Sequence, residues 1–343
     1  MRNLLETLII DEKKTNRKLY SSGPIWDYKN KKSIYQLKKK SINNFRGLNS
    51  GVATSFSDNL VYDIRNEYNW RGRLVSKFLS IPIIKSVLNS QLKVTLNHIE
   101  NLIKYQATAY ENNDRVFELL NKYNFENTTE FGCVQKFSKN NKEYSVNYVE
   151  MAHRIENLSK IFDFNKINTF FEIGGGFGSN IHFLLQNFKN IKKVVFLETV
   201  PNILVATEYL RFFYQNCVKD YIDTKKNKKI SFEKNNQLEI ICIPPWEIEK
   251  LDIEIDHFHN AHSFVEMPLN VLKNYSHHLI KNKTKQISLV SYYDNSSKKT
   301  YDPKKSIDAS KLNEFFNNKL NSNIHQRVLG KYGRKDIYLT ANL

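Results

Sequence analysis

The sequence is poor in the features that mark secreted, zinc-bound and membrane-spanning proteins. Its 343 residues include three widely separated cysteines and no C-x-x-C pair, which supports neither a disulfide framework nor a thiolate zinc site. No apolar run approaches the ~18–20 residues that a membrane span needs. The apolar stretch within the first ten residues is too short for a secretory signal. These absences favour a reducing, cytoplasmic setting with no membrane span.

Acidic residues are outnumbered, with 35 Asp and Glu against 52 Lys and Arg, which gives a formal net charge of +17. Such a charge raises the possibility of a nucleic-acid partner. The lysines, however, are spread over many polar segments, and arginine, the better reader of grooves and phosphates, is scarce. The charge therefore fits an anionic small substrate, such as a nucleotide sugar, better than it fits DNA or RNA.

Glycine is also scarce, yet four of the eleven glycines fall within five positions of the segment FEIGGGFGSN at residues 171–180. Apolar residues lead into it, and apolar residues at helical spacing lead out: Ile181, Leu184, Leu185 and Phe188. This pattern predicts a strand, a tight turn and a helix. Glycines let a ligand approach the main chain, and free amides at a helix start form an electropositive cradle. The segment is typical of a nucleotide-binding loop.

The spacing of the glycines separates the common kinds of nucleotide loop. A dinucleotide fingerprint would place glycine at position 179, where Ser179 stands, and a P-loop would need a lysine that is absent here. What remains is E-x-G-x-G-x-G, formed by Glu172, Gly174, Gly176 and Gly178. This order resembles the first motif of class I S-adenosylmethionine-dependent methyltransferases. The resemblance implies S-adenosyl-L-methionine as cofactor, with Glu172 facing its positively charged methionine end directly or through water.

Apolar strands alternate with helices from about residue 141 onward. Strands are predicted at 168–173, 193–197, 238–243, 253–259 and 286–291, with a closing apolar stretch at 337–340. This alternation predicts an α/β fold whose parallel sheet is covered by helices on both faces, a Rossmann-like class I methyltransferase sheet. Ligands of such sheets bind beyond the carboxyl ends of the strands.

Residues 1–140 have a different, mostly helical pattern. Helices are predicted at 30–45, 74–89, 91–106 and 109–123, and the polar stretch 136–142 is the best boundary. We therefore expect a helical cap or substrate region at 1–140 and a cofactor-binding domain at 141–343. The oligomeric state is not indicated by any pattern.

Two residues after predicted strands are candidates for binding the adenosine part of the cofactor. Glu198 follows the second strand, 24 residues after Gly174, and an acid near this spacing commonly accepts hydrogen bonds from ribose hydroxyls. Trp246 follows the third strand, where a flat aromatic ring could stack on adenine. The string IPPW at 243–246 is similar to a loop of amino-group methyltransferases that act on DNA. Because Ile243 cannot accept a hydrogen bond from a target amine, we set that similarity aside.

The densest polar cluster contains three of the nine histidines, His257, His259 and His262. A metal site is conceivable, but no further ligand stands at suitable spacing, so we predict no metal and a buried, hydrogen-bonded pair at 257 and 259. His262 and Glu266 follow the strand, where the methyl donor should point. Methylation of an alcohol requires removal of the hydroxyl proton, and histidine is the ordinary base for that. His262 is the first candidate and Glu266 the second; either could instead orient the cofactor or the loop.

The string NAHSFVEMP at 260–268 resembles the N-x-x-S-F/M-x-E-M signature of sugar O-methyltransferases encoded in surface-polysaccharide clusters. The segments INNFR at 42–46 and PNILVA at 201–206 are similar to other parts of that family, so the resemblance spans about 42 to 295. It implies methylation of a sugar hydroxyl on a nucleotide- or lipid-linked glycan precursor, with Asn260 among the cofactor-binding residues. The family often has aspartate in a shorter turn where ETVP stands at 198–201.

Two alternatives remain open on the sequence. The basic composition is compatible with a methyltransferase that acts on nucleic acid or protein. The glycine loop alone is compatible with a non-catalytic, cofactor-binding partner in a glycan-assembly complex, although His262 and Glu266 at a strand end argue for catalysis.

Overall fold

A computed structural model of the chain describes residues 2–23, 108–133, 136–292, 309–328 and 335–343. It also describes nine single positions: Trp26, Asp27, Asn30, Lys31, Ser33, Ile34, Leu37, Ile42 and Ile81. Outside the described residues lie the predicted helix at 91–106, the one at 74–89 apart from Ile81, most of the one at 30–45 and the INNFR segment beyond Ile42.

Nine helices and ten strands are described. The helices are α1 (Arg2–Glu12), α2 (Arg17–Tyr20), α3 (Asp114–Lys122), α4 (Val146–Ser159), α5 (Ser179–Asn187), α6 (Asn202–Tyr214), α7 (Tyr221–Thr224), α8 (Leu269–Lys281) and α9 (Ala309–Glu314). The strands are β1 (Lys136–Lys139), β2 (Lys142–Ser145), β3 (Thr169–Ile173), β4 (Lys193–Leu197), β5 (Val218–Lys219), β6 (Glu239–Ile243), β7 (His257–Ala261), β8 (Gln286–Tyr292), β9 (Asn321–Gln326) and β10 (Lys335–Asn342). Short 3-10 turns occur at Phe164–Lys166, Gln215–Cys217, Pro245–Lys250 and Phe264–Glu266. Within the described residues, no helix is long and apolar enough to cross a membrane.

Eight strands form one sheet in the order β5-β6-β4-β3-β7-β8-β10-β9. All neighbours pair in parallel except β10, which is antiparallel to both β8 and β9. Counted along the chain, the central parallel strands β6, β4, β3, β7 and β8 stand in the doubly wound order 3-2-1-4-5. The order reverses between β3 and β7, so the crevice for a ligand lies at the carboxyl ends of these two strands. The predicted Rossmann-like α/β class is confirmed.

Helices cover both faces of the sheet because the central strands are buried on both sides. All five residues of β3 and of β4 are buried, and neighbouring side chains point to opposite faces. Phe170 belongs to one hydrophobic cluster, together with residues of α4, α5 and α6. Phe171 belongs to a second cluster, with residues of α8 and α9. Each such buried apolar side chain contributes roughly 1.5–3 kcal/mol relative to exposure.

The predicted boundary at 136–142 falls on the hairpin of β1 and β2. Phe137 of this hairpin is 2 % exposed and belongs to the same hydrophobic cluster as Phe170. Three leucines of α1 join that cluster as well: Leu4, Leu5 and Leu8. Tyr20 of α2 packs instead against the second cluster. The described part of the N-terminal region therefore contacts both faces of the sheet, while the division into a cap at 1–140 and a domain at 141–343 stays a prediction.

Most predicted strands and helices lie within a few residues of those observed, and the exceptions have local causes. The strand predicted at 253–259 is β7, four residues later, because Ile253 and Ile255 hydrogen-bond to Asn282 instead of joining the ladder. The helix predicted at 109–123 is interrupted by Asn113, whose side chain accepts the Val116 N–H at 3.2 Å and begins α3.

Candidate functional site

The glycine loop connects β3 to α5 at the point where the strand order reverses. Gly174, Gly176 and Gly178 have φ angles of +74°, +66° and +87°, a region that side chains disfavour. A Cβ atom on Gly174 would lie 2.1 Å from the hydroxyl oxygen of Ser263. Gly178 is the residue before the first turn of α5. The loop therefore needs glycine at all three motif positions for its backbone conformation, and at position 174 for space as well.

Glu172 lies next to the end of β3, with 1 % of its surface exposed. One carboxylate oxygen accepts a hydrogen bond from the Asn180 side chain at 3.0 Å. The other oxygen, Oε2, is buried and has no hydrogen-bond partner among the described residues. Burial raises the pKa of Glu172 to about 8, against the opposing effects of Asn180 and the Arg154 charge. This carboxyl group is held in place while one of its oxygens is left for a ligand.

Glu198 follows β4 and bonds directly to the glycine loop. Its Oε2 accepts the Gly176 N–H at 3.1 Å, and its Oε1 accepts the N–H and hydroxyl of Thr199 at 2.7 and 3.0 Å. Burial raises the pKa of Glu198 to about 7, although these hydrogen bonds favour the charged form. Two buried carboxyl groups thus flank one glycine loop.

A cavity of about 440 Å³ lies over the carboxyl ends of β3, β4 and β7. Most of the predicted site residues line it: Glu172, Gly174, Gly176, Glu198, His262 and Glu266. The structure therefore brings together side chains that are as much as 94 positions apart in the chain.

Trp246 is not among the residues that line the cavity. It packs edge-on against Tyr221 of α7, with ring centroids 5.7 Å apart, and its indole N–H donates to the Tyr221 hydroxyl at 3.2 Å. In this arrangement the indole supports the short helix α7. The proposed stacking of Trp246 on adenine is not supported by its position.

Asn260 is buried at the end of β7 and is also absent from the cavity lining. Its amide nitrogen donates to the Ile173 carbonyl at 2.7 Å and to the Ser263 hydroxyl at 2.5 Å, and its oxygen accepts the Phe264 N–H at 3.1 Å. Asn260 thus ties the end of β3 to the turn after β7. Its observed contacts are structural, in contrast to the predicted direct role in cofactor binding.

His262 lies at the cavity with a φ angle of +66°. Its Nε2 lies 3.1 Å from an Arg327 guanidinium nitrogen and 3.7 Å from an Asp336 carboxylate oxygen. Burial and the charges of Arg327 and Arg154 hold the pKa of His262 well below its ordinary value. The ring is therefore neutral at physiological pH.

Glu266, the second candidate base, lies on the same wall of the cavity. Its Oε2 accepts a hydrogen bond of 2.5 Å from the indole N–H of Trp26. A segment near the N-terminus therefore reaches the cavity, to which Ser22 also contributes. This contact joins positions 240 residues apart, which no sequence pattern indicated.

The other two histidines of the cluster point into the sheet rather than the cavity. His257 Nε2 and His259 Nδ1 both bond to the Ser288 hydroxyl, at 2.7 and 2.8 Å. Both rings are fully buried, which lowers their pKa, to about 4 for His257. This is the hydrogen-bonded pair that the sequence predicted. No group of three or more histidine, cysteine or acidic side chains among the described residues could hold a metal ion.

Several cavity residues were missed by the sequence analysis. Arg154 on α4 lies outside every quoted motif, and Arg327 follows β9, whose polar sequence gave no strand pattern. Asn180 and Asn202 stand in the first turns of α5 and α6. Their places directly after the glycine loop and shortly after Glu198 are the signal that could have identified them. Gly175 is required for space, because its Cβ would lie 2.6 Å from the Glu172 carboxyl carbon.

Several buried polar atoms of cavity residues have no hydrogen-bond partner among the described residues. They include Glu172 Oε2, Asn180 Oδ1, Asn202 Oδ1 and Arg154 Nε. Buried polar groups in native proteins are nearly always bonded. A ligand with donors for three oxygens and an acceptor for one arginine nitrogen would satisfy these four atoms. A nucleoside that carries an amino acid has such groups, so the residues present fit the cofactor that the glycine motif implies.

A larger and more open groove of about 680 Å³ lies along the β5 edge of the sheet. Its cations Arg211, Lys219 and Lys229 are each paired with a carboxylate. The groove has neither the glycine loop nor the partnerless buried atoms of the first cavity, so we assign the site to the first.

No protein-family model matches this sequence, and no curated protein matches it. Among solved structures, the chain is similar to the mitomycin 7-O-methyltransferase MmcR, with 14 % identity over 58 % of this chain and 55 % of that chain, and a TM-score of 0.37. It is similar to magnesium protoporphyrin IX methyltransferase (ChlM) from Synechocystis PCC 6803 with bound SAM, with 10 % identity over 56 % and 78 % and a TM-score of 0.37. It is also similar to the O-methyltransferase NcsB1 from neocarzinostatin biosynthesis, with 11 % identity over 58 % of this chain and 57 % of that chain, and a TM-score of 0.36. The chain thus spans about half the length of the first of these. The fold class itself rests on the strand order described above.

Proposed function

We propose that this protein is an S-adenosylmethionine-dependent O-methyltransferase that methylates a sugar hydroxyl of a surface-glycan precursor in the cytoplasm. The observation that carries the cofactor assignment is the pair of buried carboxyl groups, Glu172 and Glu198, on either side of the glycine loop. Among the residues that the structure describes, no lysine lines the cavity, whereas two arginines do. Two acids beside a glycine turn suit a cofactor that has a cationic end and no phosphate.

Each acid has a distinct role in this proposal. Glu172, with one oxygen left open, faces the ammonium of the methionine end. Glu198 accepts hydrogen bonds from the ribose hydroxyls, because a carboxylate can take two donors together. The bound cofactor supplies an electrophilic methyl group. The residues of the chain bind it, exclude water and remove the proton of the acceptor.

His262 and Glu266 are the proposed proton acceptors, and both line the cavity at the end of β7. The lowered pKa of His262 keeps its ring neutral, as a base must be before reaction. However, arginine can only donate hydrogen bonds, so the Arg327 contact occupies the lone pair of Nε2. Proton uptake at this nitrogen requires Arg327 to move. Glu266 meets no such constraint, because a carboxylate has further lone pairs beside the one that Trp26 uses.

The sugar as acceptor rests on the resemblance of residues 260–268 to sugar O-methyltransferases. Within that string, Asn260 and Ser263 hold the turn in place through the Ile173 carbonyl. The signature thus supports the shape of the acceptor side of the cavity. We propose that residues 1–140 supply further acceptor contacts, beginning with Ser22 and Trp26, which line the cavity.

The test compares surface glycans from a strain that lacks the gene with those from strains that carry the wild-type gene or a Gly176→Val variant. Mass spectrometry should show loss of one methyl group's mass in the deletion strain, return with the wild-type gene, and no return with the variant. Unchanged glycans, together with salt-sensitive binding of RNA or DNA and methylation of it, would contradict the sugar and support a nucleic-acid methyltransferase. Cofactor binding with no methylated product in any extract would support a non-catalytic partner.

A further inference from the structure

The two arginines of the cavity differ in how their charge is balanced. The Arg327 guanidinium donates to both carboxylate oxygens of Asp336, at 2.8 to 3.0 Å. Arg154 makes no hydrogen bond or ion pair with any described residue, and its Nε is buried. A buried charged donor with no partner costs more than a satisfied one. Arg154 therefore presents a guanidinium to the cavity whose buried Nε has no acceptor among the described residues.

Glu172 and Asn180 lack hydrogen-bond donors, whereas Arg154 lacks an acceptor. The Asn180 amide nitrogen already donates to one oxygen of Glu172, at 3.0 Å. The second Glu172 oxygen and the Asn180 oxygen are both buried without a donor. Two unpartnered acceptors on hydrogen-bonded side chains fit an ammonium group, which has three donors and no acceptor.

Arg154 and the pair formed by Glu172 and Asn180 lie close enough to interact. The Arg154 charge acts on the Glu172 carboxyl group and favours its ionised form, and both side chains line the same cavity. In an α-amino acid, the ammonium and the carboxylate are attached to one carbon atom. A ligand whose ammonium lies at Glu172 therefore has its carboxylate within a few ångströms of that point, on the side open to a nearby cation.

We propose that Arg154 binds the amino-acid carboxylate of the cofactor, while Glu172 and Asn180 bind its ammonium. The inference rests on the proposed function, because it assigns residues to the cofactor of that site. Charge balance supports it: one carboxylate and one cation of the protein meet one cation and one carboxylate of the ligand. The planar fork of arginine matches a carboxylate with two hydrogen bonds. An anionic group on the acceptor is the competing occupant of Arg154.

Calorimetry with two ligands tests this assignment without need of the acceptor. S-adenosylhomocysteine carries the amino acid, whereas 5′-methylthioadenosine keeps the adenosine and the thioether but has no amino acid. Arg154→Gln should weaken binding of S-adenosylhomocysteine by about tenfold to a hundredfold, the range of a hydrogen bond to a charged group. The same variant should bind 5′-methylthioadenosine as the wild type does. Arg154→Lys, which keeps the charge without the fork, should recover part of the loss.

Arg115→Gln is the matched control, because Arg115 lies on α3, paired with Glu118 and Glu156 and away from the cavity. It should bind both ligands normally. Unchanged binding of S-adenosylhomocysteine by Arg154→Gln would overturn the inference and leave the proposed function intact. Equal weakening of both ligands would also overturn it, since the effect would then not depend on the carboxylate. Failure of the wild type to bind either ligand would contradict the proposed function as well.

Discussion

A guanidinium nitrogen of Arg327 lies 3.1 Å from Nε2 of His262, and three hydrogen bonds to Asp336 fix that guanidinium in place. Because arginine has no acceptor atom, His262 accepts this hydrogen bond, and a neutral ring then carries its proton on Nδ1. One residue, distant in the chain, thus fixes which nitrogen of His262 carries the proton, and its charge adds to burial in lowering the pKa of His262.

Removal of the Arg327 charge should raise the pKa of His262. Burial is the largest cause of the lowered pKa and the Arg327 charge is the second, so Arg327→Gln should raise it while leaving it below that of an exposed histidine. A ¹H–¹⁵N NMR titration of the imidazole nitrogens measures both values. Arg115→Gln should leave the titration unchanged. An identical His262 titration in the wild type and Arg327→Gln would show that the two groups do not interact in solution.

His262→Ala and Glu266→Gln separate the two candidate bases. The true base should lose about 10²–10⁴-fold in turnover when replaced, while cofactor affinity by calorimetry stays close to that of the wild type. Turnover is followed by the methylation of glycan extracts from the deletion strain. If His262→Ala retains near-normal turnover and Glu266→Gln does not, Glu266 is the base and His262 an orienting residue. Normal turnover in both variants would remove each of them from the proton transfer.

Gly176→Val should abolish cofactor binding while the protein stays folded. Valine is strongly disfavoured at the φ angle of +66°, and the change disturbs the N–H that donates to Glu198. Gly132→Val is the matched control, since Gly132 also has a positive φ, of +81°, but lies away from the cavity. Calorimetry with S-adenosylhomocysteine should give no measurable heat for the first variant and normal affinity for the second. Unchanged affinity of Gly176→Val would remove the loop from the cofactor site.

Glu172→Gln should stabilise the ligand-free protein at high pH and weaken cofactor binding. The folded-state pKa of about 8 lies above the ordinary value of 4.5, so the folded protein binds the extra proton and its free energy of unfolding falls as pH rises between these values. Each pKa unit is worth about 1.4 kcal/mol. Urea denaturation should show a steeper decline from pH 5 to pH 8 in the wild type than in Glu172→Gln. Parallel declines would contradict the raised pKa.

Asn260→Ala should destabilise the fold more than an ordinary asparagine replacement. It removes a buried side chain that bonds to the Ile173 carbonyl, the Ser263 hydroxyl and the Phe264 N–H, at a cost of about 1–3 kcal/mol for the groups left unpaired. Asn227→Ala, at an exposed position, should change the free energy of unfolding by less than about 0.5 kcal/mol. If Asn260→Ala is as stable as the control but loses cofactor affinity, the result would support the prediction that Asn260 contacts the cofactor.

Local patterns in the sequence predicted most strands of the central sheet. Strands β3, β4 and β6 were predicted within a residue or so, because fully buried parallel strands appear as continuous apolar runs. Strand β9 was missed because most of its residues are exposed and polar. Its strand conformation depends on pairing with β10, an interaction that the segment itself does not reveal.

In the site, too, local features were visible in the sequence and contacts between distant segments were not. Glycine spacing and the two acids beside the loop were visible in the sequence, since a left-handed turn and a strand end are local properties. Trp246 and Asn260 follow predicted strands as expected, yet they turn to Tyr221 and to the Ile173 carbonyl. Which way a residue after a strand points depends on neighbours that are distant in the chain.

The sequence by itself determined the order of strands and helices, the glycine loop and the acids that flank it, because backbone conformation and burial leave periodic and compositional traces. Tertiary structure alone decided that Arg154 lies in the cavity without a partner among the described residues, that Arg327 donates a hydrogen bond to His262, and that Trp26 reaches Glu266. These relationships arise where separate segments meet at the carboxyl edge of the sheet. Charge and hydrogen bonding act through space, so distance in the fold, rather than distance in the chain, sets them.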